Sequence, residues 1–198
     1  AAAMDKGPAP LPADHENGQV TGSEAWQHQA ARLRDASIRG RIDDENTVAW
    51  IYADHGADRE YRYCPLKHVN PKGWVDAYRQ PKQVYWLWQA NRTDRLMVHA
   101  HSYWWRQRHV GSRHHIVVDS NGERVELFVG GVRIGTRHPR PETFFSVVFE
   151  DVPVRDADLL VVAHRGRETA THHVPMAGAP HALALSSDRA QLHADRSD

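Results

Sequence analysis

Hydrophobic and polar positions divide the chain into a first part with helical and buried-strand patterns and a second part with alternating ones. A capping-box pair, Thr21 and Glu24, precedes apolar residues spaced for one helix face, which predicts a helix over about 23–38. The nearly unbroken apolar run TVAWIYAD, residues 47–54, is typical of a strand covered on both faces, as in a parallel sheet. A helix followed by such a strand indicates an α/β unit.

The segment after this strand predicts a loop and a second helix. Residues 55–72 are polar and aromatic and are interpreted as a long loop, the kind of segment with which α/β enzymes bind substrate. Pro81 suits the first turn of a helix over about 82–91. The helix is mostly apolar, so we expect it to be well buried.

From about residue 94 the helical period disappears and short strands are predicted. They cover residues 96–103, 114–120, 124–130, 132–137, 143–150, 159–165 and 169–175. Val125, Leu127 and Val129 alternate with mostly polar residues, so this set is predicted to face the core. The number and spacing of the strands favour an antiparallel sandwich.

Two dipeptides predict tight turns between these strands. Asn121-Gly122 and Gly130-Gly131 are both typical of two-residue hairpins. We therefore expect each pair to join two neighbouring strands of one sheet.

The change of pattern near Arg92–Arg95 predicts the domain organisation. We expect an α/β fragment over 1–93, an all-β sandwich over 94–178, and a linker or the start of a further β domain over 179–198. An incomplete α/β part is hard to explain in a self-sufficient protein, so we expect the chain to be a piece of a longer one.

Charge and composition narrow the classes of partner. Lys and Arg number 25 and Asp and Glu number 25, which argues against a nucleic-acid-binding protein and gives no attraction to an anionic membrane. No apolar run is long enough to span a membrane, and the N-terminal residues have no signal-peptide pattern. The one cysteine, Cys64, does not settle the compartment, so the cytoplasm and periplasm of a bacterium both stay open. We expect no cofactor.

Two motifs carry a family resemblance. The run NPKGWVDAYRQPKQVYWLWQA, residues 70–90, resembles the end of the catalytic barrel in glycoside hydrolase family 2, through Gly73, Asp76, Arg79, Pro81 and Lys82. The run HHIVVDSNGERVELFVGGVRIGT, residues 114–136, is similar to the immunoglobulin-like domain that follows the barrel in many bacterial β-galactosidases. Its matching residues are Ser120, Asn121, Val125, Glu126, Leu127, Phe128 and Gly131, whereas Gly130 stands where that family usually has Asn.

The resemblance implies a fold and a set of substrate-binding residues. The fold would be the last βα part of a TIM barrel, an α/β fragment, followed by an all-β immunoglobulin-like sandwich. Residues 47–54 would then be barrel strand eight, and Trp50 would lie on the floor of the sugar site, where an indole packs on the apolar face of a sugar. Asp54 and His55 would stand just beyond, as ligands of a substrate hydroxyl. For all three residues an ordinary structural role stays open.

The same resemblance implies that the chain lacks the catalytic residues. Retaining glycosidases need two carboxyl groups, a nucleophile and an acid/base. The chain has no Asn-Glu pair for the acid/base. Glu60 precedes an aromatic residue but follows strand eight, and Glu16 has the wrong context for a nucleophile. We therefore expect no catalytic residue here and both carboxylates upstream.

Other residue clusters have two interpretations each. His99 and His101 would share one strand face, so a third imidazole could complete a zinc site, although a His- and Arg-rich surface is the simpler interpretation and we predict no metal. Residues 103–106 are either an aromatic sugar patch or packing between barrel and sandwich. No His-plus-acid pattern supports Cys64 as a nucleophile.

These patterns lead to one functional hypothesis and two alternatives. The chain is expected to be the C-terminal portion of a retaining glycoside hydrolase acting on β-galactosides or related β-glycosides. Its partners would be the carbohydrate substrate and the remainder of the catalytic barrel. The first alternative is an autonomous carbohydrate- or protein-binding sandwich without catalysis, and the second is a hydrolase with a His-coordinated metal.

Overall fold

The computed structural model describes residues 52–56, 69–70, 73–101 and 107–178, with the isolated positions 181, 182, 184 and 186. The predicted helix over 23–38 and most of the predicted strand over 47–54 lie outside these residues. The described part is mostly β, with a single α-helix. Its elements in chain order are β1 (His55–Gly56), β2 (Val69–Asn70), α1 (Gln83–Arg92), β3 (Val98–His101), a 3-10 helix (Gln107–His109), β4 (Arg113–Ser120), β5 (Arg124–Val129), β6 (Val132–Arg137), a second 3-10 helix (Pro141–Thr143), β7 (Ser146–Pro153), β8 (Leu159–Arg165) and β9 (Glu168–Val174).

Seven of these strands form two antiparallel sheets. The first sheet has the order β3-β4-β7, and the second has the order β6-β5-β8-β9. One hydrophobic core lies between them. Its buried members from the first sheet are Val98, Ala100, Ile116, Val118, Val147, Phe149 and Val152, and those from the second are Val125, Leu127, Val129, Leu159, Val161, Ala163 and Val174. The two sheets therefore pack face to face, as the alternating pattern predicts.

The strand β5 shows why the sequence takes this form. Val125, Leu127 and Val129 are each 0% exposed, whereas the side chains between them point away from the core. The prediction that this set faces the core is confirmed. Successive side chains of a strand alternate between its two faces, so an apolar residue at every second position buries one face against the opposite sheet.

The two predicted turns have different outcomes. Gly130 and Gly131 join β5 to β6, and both have positive φ, 55° and 78°, which a type I′ hairpin turn requires. Asn121-Gly122 does not form a hairpin. It connects β4 to β5, and these strands lie in different sheets. The prediction was wrong because the dipeptide specifies a local reversal, whereas the core decides which strands pair.

The Asn121 side chain instead fastens the connection that leads from α1 into β3. Its amide group donates to the carbonyl oxygens of Thr93 and Arg95, at 2.8 and 2.9 Å, and its oxygen accepts from the Met97 amide at 2.9 Å. Ser120 adds a fourth bond, because its hydroxyl donates to the Met97 carbonyl at 2.7 Å. The connection is therefore held against the end of β4.

The helix α1 lies on the first sheet and begins later than predicted. Lys82 is its N-cap, so Pro81 lies before the helix and not in its first turn. Pro81 instead forms an antiparallel bridge with Val75. Val84, Leu87 and Ala90 are the buried residues of the helix, and the side chains between them are half-buried. The expected burial of the helix is thus confirmed for one face.

Phe144 links α1 to the start of β7. The side chain packs against Leu87 and meets Trp88 edge-on, with ring centroids 6.3 Å apart. The Asn91 side-chain amide donates to the Phe144 carbonyl at 3.0 Å. Phe144 and Phe145 have positive φ, which a strand residue does not adopt, so β7 begins at Ser146 and not at residue 143 as predicted.

No helix in the described part of the chain is long and apolar enough to cross a membrane.

Replacing Asn121 with Ala is expected to destabilise the protein. The substitution removes three hydrogen bonds, so the carbonyl groups of Thr93 and Arg95 and the amide of Met97 lose their side-chain partner. The free energy of unfolding should therefore fall by about 1–3 kcal/mol. Urea unfolding followed by circular dichroism measures this change. Asp156→Ala, at an exposed turn, is the control. Faster amide hydrogen exchange at Met97 should accompany the loss, and unchanged exchange there would contradict this role of Asn121.

Candidate functional site

The candidate site is built from three short segments that are hydrogen-bonded to one another. Ala53 forms a parallel bridge with Val75, and Val75 also bridges Pro81. The carbonyl oxygen of Tyr52 accepts from the amides of Trp74 and Val75, at 2.9 and 3.0 Å. These bonds hold the end of the predicted strand over 47–54 against the segment that enters α1.

The carboxylate of Asp54 lies inside this arrangement. Its Oδ1 accepts from the backbone amide of Gly73 at 2.7 Å and from the Lys82 ammonium at 2.6 Å. The two side chains are nearly buried, with 9% of Asp54 and 4% of Lys82 exposed. Asp54 and Lys82 therefore form a buried, hydrogen-bonded ion pair between the strand end and the helix N-cap, and charge-assisted bonds of this kind are strong.

Gly73 is required by the close approach of the backbone to Asp54. A Cβ atom at this position would overlap Asp54 N and Ala53 C, and it would lie 2.5 Å from the Val75 carbonyl oxygen. Only glycine leaves the space in which its own amide can reach the carboxylate.

The other motif residues of this segment form the turn that follows. Asp76 Oδ1 accepts from the amides of Tyr78 and Gln80, each at 2.8 Å, and the Asp76 amide donates to the Gln80 carbonyl. Arg79 has positive φ, 69°, at this exposed turn. The turn brings Lys82 back toward Asp54, so the motif has a structural explanation in this chain.

His55 lies next to Asp54 but in a different local structure. It begins β1, which pairs antiparallel with β2. Residues 55–72 were predicted as a long loop, and this pairing corrects that prediction at the four paired residues. The His55 Nδ1 atom is buried and makes no hydrogen bond among the described residues. His55 thus has a polar atom that is unused among the described residues, directly after Asp54 in the chain.

Several candidate residues lie outside the described part of the chain. They are Trp50, Glu16, Glu60, Cys64 and the aromatic segment over residues 103–106. Of the three predicted substrate-binding residues, the structure therefore describes Asp54 and His55, and their role in binding substrate stays a prediction.

An aromatic stack next to Asp54 was not singled out from the sequence. Trp74, one residue after Gly73, stacks on Trp88 of α1, with centroids 5.1 Å apart and ring planes at 13°. Arg92 lies over the same Trp88 ring at 5.9 Å. The pair fixes α1 against the segment that carries Gly73. In the sequence, Trp74 lies before the start of α1 and Trp88 lies within it. This spacing alone does not predict that the two rings are in contact.

Three of the histidines in the described part of the chain come together. His99 and His101 share the outer face of β3, and a third imidazole, His172 of β9, stacks on His99. No group of three or more His, Cys, Asp or Glu side chains in the described residues has an arrangement that could hold a metal ion.

Known glycosidases resemble this chain in sequence and in fold, although no protein-family model matches it. A β-glucuronidase from Formosa agariphila is 30% identical over 105 residues, which is 52% of this chain and 10% of that enzyme. A β-glycosidase structure from Bacteroides vulgatus matches 70% of this chain and 17% of its own, with a TM-score of 0.57 and 24% identity. A family 2 glycosyl hydrolase from Bacteroides cellulosilyticus matches 62% and 19%, with a TM-score of 0.52 and 22% identity.

The chain resembles part of family 2 glycoside hydrolases. The similarity is one of sequence and of fold, and it covers only a small portion of those enzymes. The resemblance inferred from the two motifs is thereby confirmed, whereas specificity for β-galactosides finds no support in it.

A second sequence match points elsewhere. A component of eukaryotic translation initiation factor 3 from Drosophila persimilis is 26% identical over 140 residues, which is 68% of this chain and 49% of that protein. The fold similarity belongs to the glycosidases, so the glycosidase match is the one on which sequence and structure agree.

Replacing Lys82 with Met is expected to cause a large loss of stability. Met keeps the apolar stem but removes the charge, and the buried Asp54 carboxylate then loses its ammonium partner. Breaking a buried pair on one side costs about 3–5 kcal/mol. Urea unfolding of the single variants and of the double variant Asp54→Asn, Lys82→Met measures the coupling, and the double variant should be less destabilised than Lys82→Met alone.

The matched control is Arg113→Met. Arg113 and Asp151 also form an ion pair with a 2.6 Å separation, but 55% and 67% of the two side chains are exposed. Solvent screens such a pair, so little change is expected. Equal losses from Lys82→Met and Arg113→Met would contradict the buried-pair argument.

Proposed function

We propose that the chain is the C-terminal portion of a retaining family 2 glycoside hydrolase. In this proposal residues 1–93 supply the end of a (β/α)8 barrel, including strand eight, and residues 94–178 form an immunoglobulin-like domain. The observation that carries the proposal is that sequence similarity and fold similarity point to the same group of enzymes. The order of features, a strand end at Asp54, the helix α1 and then two sheets, agrees with it.

The remaining part of such an enzyme would supply the catalytic carboxylates. The chain spans 10% of the length of the β-glucuronidase that it matches in sequence and 17% of the β-glycosidase structure. Retaining enzymes form a covalent glycosyl intermediate on a carboxylate. A β-glucuronidase from Bacteroides uniformis with this fold has been obtained covalently bound to a cyclophellitol aziridine, which agrees with a nucleophilic residue in that relative.

The substrate we propose is a β-glucuronide, with β-galactosides as the alternative. The support is that the glycosidases similar to this chain are named as β-glucuronidases in several cases. A glucuronide carries a carboxylate where a galactoside carries a hydroxymethyl group. The two substrates therefore differ in charge at one position, and a comparison of hydrolysis rates shows which of them the enzyme prefers.

The three candidate residues receive different roles in this proposal. Trp50 would be the aromatic floor under the sugar ring. Asp54 would hold the strand end in place through Gly73 and Lys82, because both described contacts of its carboxylate use Oδ1. Its Oδ2 and the buried Nδ1 of His55 are then the polar atoms that we assign to substrate hydroxyls.

The test is hydrolysis of chromogenic β-glucuronides and β-galactosides by a longer chain that extends upstream through the whole barrel. We expect activity in the longer chain and none in the 198-residue chain. Trp50→Ala in the longer chain should lower kcat/KM about tenfold, as expected for the loss of roughly 1.5 kcal/mol of aromatic packing. Phe128→Ala is the aromatic control, because Phe128 faces outward on the second sheet.

The outcomes distinguish the proposal from its alternative. Turnover by the 198-residue chain itself would overturn the view that the carboxylates lie elsewhere. A longer chain without any glycosidase activity, combined with measurable binding of oligosaccharides to residues 94–178 by calorimetry, would favour the autonomous binding sandwich. The observation that supports this alternative is the hydrophobic core between the two sheets, because a sandwich with its own core could form a separate binding domain.

A further inference from the structure

The face of the first sheet that α1 covers is unusually polar. Val98 and Ala100 of β3 point into the core, so His99 and His101 point to the other side of the sheet, toward α1. The neighbouring strand places Asp119 on this same side, opposite His99, and Asp119 is 0% exposed. The junction between helix and sheet therefore contains titratable groups in place of a purely apolar contact.

Three of the rings at this junction form a continuous stack. Trp86 of α1 lies over His99 with centroids 4.3 Å apart and ring planes at 9°. The opposite face of His99 meets His172 of β9 at 4.2 Å and 23°. The stack thus connects the helix, the edge strand of the first sheet and the edge strand of the second sheet.

A backbone hydrogen bond fixes the protonation state of His172. The amide of Ala100, on the edge of β3 that faces away from β4, donates to His172 Nδ1 at 3.0 Å. A nitrogen that accepts a hydrogen bond carries no proton, so His172 is neutral in this arrangement, with its proton on Nε2. Protonation turns Nδ1 into a donor that faces another donor, and the bond to Ala100 is then lost.

Two further imidazoles, those of His101 and His173, influence the pKa of His172. His101 lies next to His99, with ring centroids 4.9 Å apart, and its Nε2 is 2.5 Å from the Asp119 carboxylate. Burial lowers the pKa of His172, and the His101 and His173 imidazoles lower this pKa further. His173 itself points away and contacts Asp158 at 2.8 Å.

The helix α1 carries no acidic side chain that could compensate for a proton on His172. Lys82, the N-cap, contacts Asp54, and Arg92 lies over Trp88. The group that α1 contributes to the stack is Trp86, which does not titrate.

We propose that this junction is a pH-sensitive contact, in which protonation of His172 releases the Ala100 amide and loosens the helix and the two edge strands from one another. The contact is closed at neutral pH and opens on acidification. It would respond to pH in any larger protein that contains this chain, and it does not depend on the glycosidase assignment.

The direction of the pH effect follows from proton linkage. His172 binds a proton more weakly in the folded chain than at its ordinary pKa of 6.5 in the unfolded chain. Between these two values the unfolded state binds more protons, so stability rises with pH. The contribution is fully present well above pH 6.5 and is lost as the pH falls below that value.

The first experiment compares thermal unfolding of the 198-residue chain at about pH 7.5 and pH 5.5 with that of two variants, because these values lie on either side of the ordinary histidine pKa. In His172→Asn the Oδ1 atom replaces Nδ1 as the acceptor for Ala100 and does not titrate. In His173→Asn the neighbouring, exposed histidine is removed instead. We expect acidification to lower the Tm of the wild type and of His173→Asn by roughly 3–8 °C more than that of His172→Asn. Equal losses in all three proteins would overturn the proposal.

A second measurement does not depend on the variants being equally stable. An NMR titration of the wild type should show His172 as the Nε2-protonated neutral form near neutral pH. Its protonation at lower pH should coincide with a shift of the Ala100 amide and faster hydrogen exchange there. A His172 ring that gains its proton at or above its ordinary pKa, or an Ala100 amide that does not respond, would rule the proposal out.

Discussion

The short connection between α1 and β3 is the constraint on which the described structure depends. Its backbone groups need hydrogen-bond partners, and Asn121 and Ser120 supply them from the end of β4. These bonds hold the C-terminal end of α1 in its position next to the first sheet. The packing of Trp88 on Phe144 and the stack that begins at Trp86 both follow from that position.

The same helix position defines the candidate site. Lys82 can reach Asp54 only when the N-terminus of α1 lies beside the end of the strand that precedes it, and the Trp74 and Trp88 stack keeps it there. The site and the two sheets are therefore connected through a single helix. In the proposed glycosidase the sandwich would thus be linked to the sugar-binding part through α1.

The predictions from the sequence were best where one local period decides the structure. Alternation along β5 is sufficient to place Val125 and Leu127 in the core, and two glycines are sufficient for the turn before β6. Local signals failed where a distant partner decides. Asn121-Gly122 has the composition of a hairpin, yet its side chain bonds residues 24 to 28 positions away in the chain.

The candidate site shows the same limit. Asp54 could be selected because it ends a run that predicts a buried strand, but its partners Gly73 and Lys82 lie 19 and 28 residues further on. A motif identified these two residues without indicating what they contact. The stack of Trp86, His99 and His172 combines three elements, so no spacing in the sequence reveals it.

The hydrogen bond from Ala100 to His172 also affects the edge of the first sheet. An unpaired strand edge presents free amides to which a strand of another molecule can add. Here an imidazole from the opposite sheet occupies one such amide on β3. If the proposed protonation of His172 breaks this bond in acid, the Ala100 amide is exposed at the edge of β3. A strand of a second copy of the chain could then pair with that edge.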